Sequence, residues 1–106
     1  MPKYLVQASY TADGLKGIVQ SGGSSRPEAV RQMAEALGGS VEAFYFAFGD
    51  ADAYVVLDMP DNVSTAAAAM TINASGAVTT KTIVLLTPEE VDQAAEKSVD
   101  YRPPGS

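Results

Sequence analysis

The sequence predicts one α+β domain in which strands and helices follow the order βαββαβ, with one more helix near the C-terminus. Three observations lead to this prediction. The 106 residues are the size of a single domain, runs rich in β-branched and aromatic residues alternate with runs that carry apolar residues at helical spacing, and the second half of the chain repeats the element order of the first. Two split βαβ units form the ferredoxin-like plan, a four-stranded antiparallel sheet with its helices on one face.

The first unit opens with a strand over Lys3–Tyr10, a segment rich in Tyr, Leu and Val. A short turn of helix is expected at residues 15–19. Ser25 and Glu28 have the spacing of a capping box, which predicts the start of the first long helix. Residues 38–39 are both glycine and are expected to end that helix, since glycine accepts the left-handed conformation common at helix C-termini.

The centre of the chain predicts a β-hairpin. Two apolar strands at residues 40–48 and 53–59 flank the acidic turn Gly49-Asp50-Ala51-Asp52. All three phenylalanines and two of the tyrosines lie in these strands. The hairpin is therefore expected to organise the whole domain.

The second unit repeats the first. Asn62 or Ser64 is expected to cap a helix that continues to about Asn73, and Gly76 is expected to close it. The fourth strand is predicted at residues 77–86.

A second capping box predicts the C-terminal helix. Thr87 and Glu90 have the required spacing, and three apolar side chains of this acidic helix are expected to face inward: Val91, Ala94 and Ala95. We expect residues 1–98 to form the single domain and residues 99–106 to form an extended tail.

Composition excludes several kinds of chemistry. The chain has no Cys and no His, so a disulfide framework, a thiolate or histidine metal site and a Ser-His-Asp triad are not expected, nor is any cofactor. The absence of Cys favours a cytoplasmic location. The net charge is −6 and the seven cations are scattered, which argues against nucleic acid and membrane surfaces as partners. No apolar run approaches the length that spans a bilayer.

The strands are apolar on both faces, which predicts self-association. Alternation places Phe44, Phe46 and Phe48 on one face and Val41, Ala43 and Tyr45 on the other. Helices can cover only one face of such a sheet. A partner chain on the second face is therefore expected, as a homodimer or a higher homo-oligomer.

The chain resembles the GYD-domain family, small bacterial proteins placed with the dimeric α+β barrels. Nearly the whole chain takes part in the resemblance, which depends on four segments: residues 4–6, 38–39, 44–46 and 49–56. The family is named for a Gly-x-Tyr-Asp turn, onto which Gly49 and Asp52 map. Ala51 stands at the Tyr position, so any chemistry of that Tyr is absent here unless Tyr54 or Tyr45 substitutes for it. The resemblance implies the fold and the oligomer but no settled activity.

The acidic turn supplies the candidate catalytic residues, Asp52 as a general base and Tyr54 beside it. Two nearby carboxylates raise one another's pKa, so Asp50 and Asp52 could act together, with Asp50 in contact with the ligand. Asp is also common in turns for conformational reasons, and that alternative stays open. Two carboxylates underfill the shell of a hard cation, so no metal is expected.

Two further side chains are candidate ligand contacts. The Tyr45 hydroxyl could donate to a carbonyl or a carboxylate, although a core or interface position is the alternative. Lys81 could bind an organic acid, or could protect an edge strand against aggregation. Asp58 could lie in water or pair with Lys3 or Lys81 across the sheet.

Residues 22–26, Gly-Gly-Ser-Ser-Arg, precede a helix and could offer backbone N–H groups and a cation to an anion. They lack the sequence of a phosphate-binding loop.

The sequence favours a homo-oligomer that binds a small organic molecule as a sensor, a carrier or an accessory subunit. The first alternative is a cofactor-independent isomerase or monooxygenase, in which Asp52 removes a proton and Tyr45, Tyr54 or Lys81 stabilises the oxyanion. The second alternative is a structural oligomer without a ligand.

Overall fold

The computed structural model describes residues 1–106 and has four strands and four helices. The strands are β1 (Lys3–Tyr10), β2 (Ser40–Phe46), β3 (Ala53–Asp58) and β4 (Val78–Leu85). The helices are α1 (Ala12–Ser21), α2 (Ser25–Ala36), α3 (Asn62–Ala74) and α4 (Pro88–Glu96). The strands form one antiparallel sheet in the order β2-β3-β1-β4. The predicted α+β, ferredoxin-like fold is confirmed, and β1 has its predicted bounds.

The core lies between one face of the sheet, which we call the helix face, and the helices. Its main cluster contains five buried side chains: Tyr4, Ala34, Val55, Leu57 and Met59. A second cluster contains Ala8, Ala53 and Val78. Helix α2 lies along β2 and helix α3 lies along β4. The opposite side of the sheet, the open face, has no helix over it.

Helix α1 is longer than the predicted single turn. The Thr11 side chain caps it by accepting a hydrogen bond from the Gly14 N–H, 3.2 Å away. The Thr11 N–H donates to the carbonyl of Ala77, 3.0 Å away, and so ties the start of α1 to the segment before β4. A Cβ at Gly14 would overlap that same carbonyl. The chain can therefore bring α1 against this segment because residue 14 has no side chain.

The predicted capping box of α2 is wrong. Helix α2 begins at Ser25 itself, so Ser24 is the N-cap residue, and its side chain makes no capping hydrogen bond. The Ser25 hydroxyl donates instead to the carbonyl of Gly22, 3.0 Å away. The Glu28 carboxylate is bound by the Arg31 guanidinium one turn along, which leaves it unable to reach back to the cap.

The predicted end of α2 is confirmed. Gly38 has a φ of 84° and its N–H donates to the carbonyl of Glu35, while the Gly39 N–H donates to that of Ala34. These two bonds form the Schellman motif. The predicted capping box at Thr87 and Glu90 is also confirmed.

The N-cap residue of helix α3 precedes the predicted ones in the sequence. Asp61, not Asn62 or Ser64, is the N-cap residue, and its carboxylate accepts a hydrogen bond from the Ser64 N–H at 2.7 Å. The Asn62 side chain is used elsewhere, since its carbonyl oxygen accepts from the buried Tyr4 hydroxyl. Gly76 follows the helix with a φ of 76°, as expected for the residue that closes it.

A β-bulge corrects the predicted faces of β2. The pairing with β3 passes from Val41 opposite Leu57 to Ala43 opposite Val56, so Glu42 is an extra residue. Val41 consequently packs on the helix face with Phe44 and not on the face of Ala43. Strict alternation fails here because the bulge adds one residue to one strand only. Phe48 lies beyond the end of β2 and is fully exposed.

Helix α4 does not turn its apolar residues inward, contrary to the prediction. All nine of its residues are exposed, including Val91, Ala94 and Ala95. Helix α4 makes few contacts with the other helices and strands, so no surface of the chain buries these side chains. None of the four helices has the length and the hydrophobicity needed to span a bilayer.

Candidate functional site

A cavity of about 40 Å³ lies between the helix face of the sheet and helices α2 and α3. Sixteen residues line it, and twelve of them are hydrophobic. The sheet contributes alternate residues of its central strands, among them Val6 and Ala8 of β1 and Val55 and Leu57 of β3. This alternation follows from the two-residue period of a strand, which directs every second side chain to the same face.

The small side chains of α3 help to leave this space open. Ala68 and Ala69 belong to the alanine run of α3 and both line the cavity. Alanine carries too little volume to fill the gap between a helix and a sheet. The four remaining lining residues carry polar groups at the boundary of this apolar space: Arg26, Thr65, Thr80 and Thr82.

Arg26, in the first turn of α2, has an unusual environment. Its Nε atom is buried and has no hydrogen-bond partner, and no other side-chain nitrogen or oxygen of the chain is in this state. No carboxylate forms an ion pair with Arg26. Arg31, five residues along the same helix, is paired with Glu28 and with Glu35, the latter at 2.9 Å, and the hydrogen bond that it donates to Glu28 raises the pKa of Arg31.

A second, more polar space of about 350 Å³ adjoins the cavity between α1 and α2. Tyr10, Arg26 and Val78 border both spaces. The Arg26 side chain therefore lies at the boundary between the apolar cavity and this groove. Tyr10 borders the same two spaces, and its hydroxyl makes no hydrogen bond within the chain.

The predicted catalytic carboxylate Asp52 is bound to the backbone. Its Oδ2 atom accepts a hydrogen bond from the Tyr10 N–H at 2.8 Å, and its own N–H donates to the carbonyl of Ala8, also at 2.8 Å. Asp50 and Gly49 are exposed at the turn. None of these three turn residues lines the cavity. The catalytic role of Asp52 and the ligand contact of Asp50 stay predictions.

The other three predicted site residues lie together on the open face. Strand register places Tyr45 opposite Tyr54, Tyr54 opposite Gln7, and Gln7 opposite Lys81. Tyr45, Tyr54 and Lys81 thus occupy one row across all four strands, on the side of the sheet away from the cavity. The structure brings these three residues onto one face of the sheet, whereas the Asp52 carboxylate binds the Tyr10 N–H. Their roles in ligand binding and catalysis also stay predictions.

An ion-pair cluster lies at one end of the open face. The Lys3 ammonium lies 2.8 Å from a carboxylate oxygen of Glu42 and 3.1 Å from one of Asp58. Of the alternatives for Asp58, the structure therefore shows the ion pair with Lys3. The hydrogen bond to Glu42, together with that to Asp58, raises the pKa of Lys3.

Sequence reasoning did not find the cavity. Its lining comes from six elements, the four strands with α2 and α3, and no local motif indicates that they form a cavity together. The one available signal was the Gly-Gly-Ser-Ser-Arg segment at residues 22–26, which placed a cation at the start of a helix. The structure places the side chain of that cation, Arg26, at the cavity.

The model of the GYD domain matches residues 4–95 of this chain. The matched segment begins in β1 and ends in α4, so it includes all four strands and the acidic turn. No curated protein and no solved structure matches the chain. Because the match extends over most of the 106 residues, and because the fold is the one that the family resemblance implies, the chain belongs to the GYD domain family.

Proposed function

We propose that this protein is a homo-oligomer that binds a small, mainly apolar organic molecule in the cavity between the sheet and helices α2 and α3, as a sensor, a carrier or an accessory subunit. The observation that carries the proposal is the lining of the cavity, hydrophobic at twelve of sixteen positions with a few polar groups at its boundary. Sites for small organic ligands commonly have this composition, in which apolar walls give affinity and a few polar groups give orientation.

The size of the cavity limits the ligand. A volume of about 40 Å³ accommodates roughly three groups of the size of a water molecule or a methylene. The ligand is therefore a short-chain molecule, or a larger one whose apolar end enters the cavity while the rest lies in the adjoining groove.

The lining favours binding over proton-transfer catalysis. Tyr10 and Arg26 are its only titratable side chains, and it contains no carboxylate and no lysine. Asp52, the base of the isomerase or monooxygenase alternative, does not line the cavity, and its Oδ2 atom accepts a hydrogen bond from the Tyr10 N–H. A general base must lie within hydrogen-bond reach of the proton that it removes.

Two surfaces support a second copy of this chain as the partner. The open face is apolar at its centre, where Leu5 lies between Val56 of β3 and Ile83 of β4. Helix α4 has exposed apolar residues and no buried ones. A helix of nine residues is only marginally stable in water without tertiary contacts. Contact with a second copy would cover the open face and stabilise α4.

Native mass spectrometry of the protein purified from its own host tests ligand binding. We expect an oligomer that carries a small additional mass under gentle conditions and releases it on denaturation. Ala69→Leu, which fills the cavity, should remove this mass without changing the oligomer. Ala67→Leu, an exposed position on the same helix, is the matched control and should retain it. Circular dichroism of both variants verifies that they are folded. An oligomer without any bound mass would favour the structural oligomer instead.

Light scattering after size-exclusion chromatography tests the partner. Ile83→Lys places a charge on the open face and should dissociate the oligomer. Val63→Lys, on the exposed side of α3 with 79% of the residue accessible, should leave it intact. A monomeric wild-type protein would contradict the oligomer part of the proposal while leaving the cavity part to the mass measurement.

A further inference from the structure

We infer that the ligand of the cavity is a small apolar monocarboxylic acid, whose carboxylate binds the guanidinium of Arg26; this inference rests on the proposed function. The starting observation is the buried Arg26 Nε atom that lacks a hydrogen-bond partner. Arg26 also belongs to the lining of the cavity. The one buried side-chain donor without a partner thus lies at the boundary of this apolar cavity.

A buried donor without an acceptor is costly, and the cost is greater for a charged group. Natural proteins satisfy nearly all such groups, so each exception requires a partner from outside the chain or a functional reason. The other two arginines of the chain each have an acceptor. Arg31 is paired with Glu28 and Glu35, and the Arg102 Nε donates to the Ser106 carbonyl at 2.8 Å. Arg26 lacks such an acceptor because no carboxylate of the chain reaches it.

Charge matching selects a monoanion. Arg26 is the only cation that lines the cavity or the groove; no acidic residue lines the cavity, and Asp13 is the one carboxylate that lines the groove. A carboxylate presents two acceptor oxygens in the geometry that a guanidinium binds by two parallel hydrogen bonds. A phosphate dianion would bring two negative charges to one cation, in a protein whose net charge is −6.

The arrangement of the two spaces fits an acid with an apolar end. Tyr10 borders both spaces beside Arg26, and its free hydroxyl is a second donor for the same carboxylate. The apolar cavity then receives an aliphatic end of roughly three carbons, which matches its volume of about 40 Å³. Butanoate has that length, and butanamide has the same number of non-hydrogen atoms without the charge.

The test is a titration of the full chain, labelled with ¹⁵N, with butanoate and with butanamide at constant ionic strength. The Arg26 Nε–Hε resonance reports the contact directly. We expect butanoate to shift this resonance and to bind about tenfold more tightly than butanamide, the difference that one charge-assisted hydrogen bond supplies. Arg26→Met should abolish the preference while retaining weak binding of butanamide. Arg31→Met, the same change on the same helix, should retain the preference.

The outcomes separate this inference from the proposal on which it rests. Equal affinity of the two probes for the wild-type protein would overturn carboxylate recognition and leave apolar binding in the cavity intact. A butanoate preference that survives in Arg26→Met would also overturn it. Failure of both probes to shift any cavity resonance, together with a protein that carries no bound mass from its host, would overturn both. If Arg26→Met does not fold, the wild-type protein decides the question: a shift of its Arg26 Nε–Hε resonance with butanoate supports the inference, and no shift overturns it.

Discussion

The carboxylate of Asp52 holds the backbone of Tyr10, with its Oδ2 atom 2.8 Å from the Tyr10 nitrogen. The main chain of Asp52 continues the pairing on both sides, because its N–H donates to the carbonyl of Ala8 and its carbonyl accepts from the N–H of Ala47. The Asp of the acidic turn therefore fastens the β2–β3 hairpin to the end of β1. Asp52, which lies at the Asp position of the turn for which the GYD family is named, therefore has a structural role in this chain.

Replacing Asp52 tests this role. We expect Asp52→Ala to lower the free energy of unfolding by about 1–3 kcal/mol, because it leaves the Tyr10 N–H without an acceptor. Asp52→Asn retains an acceptor oxygen and should cost less. Urea denaturation followed by circular dichroism measures both.

The neighbouring carboxylate provides the control for Asp52. Asp50 is exposed and makes no hydrogen bond, so Asp50→Ala should leave the unfolding free energy nearly unchanged. A ligand-dependent activity that disappears in Asp52→Asn without any loss of stability would instead support the predicted role of Asp52 as a general base.

The two glycines inside α1 should respond in opposite ways to substitution by alanine. A Cβ at Gly14 would overlap the carbonyl oxygen of Ala77, whereas a Cβ at Gly17 would meet nothing within 4 Å. Gly17→Ala should therefore raise the free energy of unfolding by about 0.5–1 kcal/mol, the usual gain from alanine in a helix. Gly14→Ala should lower it, since helix α1 must move away from the start of β4. Thermal unfolding of the two variants side by side measures the difference, and an equal gain in both would contradict the close approach.

The Tyr4 hydroxyl links β1 to the start of α3. Tyr4 is 2% exposed and its hydroxyl donates to the side-chain oxygen of Asn62. Tyr4→Phe should lower the free energy of unfolding by about 0.5–1.5 kcal/mol, the net value of one hydrogen bond. Tyr45→Phe is the control, because Tyr45 is 73% exposed and its hydroxyl has no partner in the chain. Chemical denaturation of both variants at one protein concentration measures the effect. Equal stability of the two would contradict the link.

Much of the fold was predictable because its signals are local. The strand Lys3–Tyr10, the glycines that close α2 and α3, and the capping box of Thr87 with Glu90 each depend on a few neighbouring residues. The wrong predictions concern residues whose side chains have a choice between local and distant partners. Asp61 caps α3 because its neighbour Asn62 bonds Tyr4, 58 residues away. No pattern near residue 61 contains that distant contact.

The faces of β2 and the candidate site were not predictable for a related reason. Glu42 became an extra residue in the strand, and periodicity alone does not mark a bulge. Tyr45, Tyr54 and Lys81 were named as site residues, but only the strand register shows that they share one row on the open face. The cavity arises where small residues of α3 face the sheet, and that depends on how distant elements pack.

Asp61 predicts an acid-dependent loss of stability at the start of α3. The backbone N–H of Ser64 donates to its carboxylate at 2.7 Å, and this hydrogen bond holds the pKa of Asp61 below its ordinary value of 3.8. A group whose pKa is lower in the folded protein binds protons more readily when unfolded. Its contribution is therefore fully present above pH 3.8 and is lost as the pH falls through the lower, folded value.

Asp61→Asn isolates this contribution, because asparagine also caps helices but does not titrate. Near pH 6 the wild-type protein should have the higher Tm, since a negative charge at a helix N-terminus is favourable. The difference between the two proteins should shrink as the pH falls below 3.8. The other twelve acidic residues are present in both proteins, so their titration affects both melting curves and largely cancels in the difference. Thermal unfolding from pH 2 to pH 6 measures it, and a difference that does not change with pH would show that the Asp61 carboxylate gives no charge-dependent stabilisation to α3.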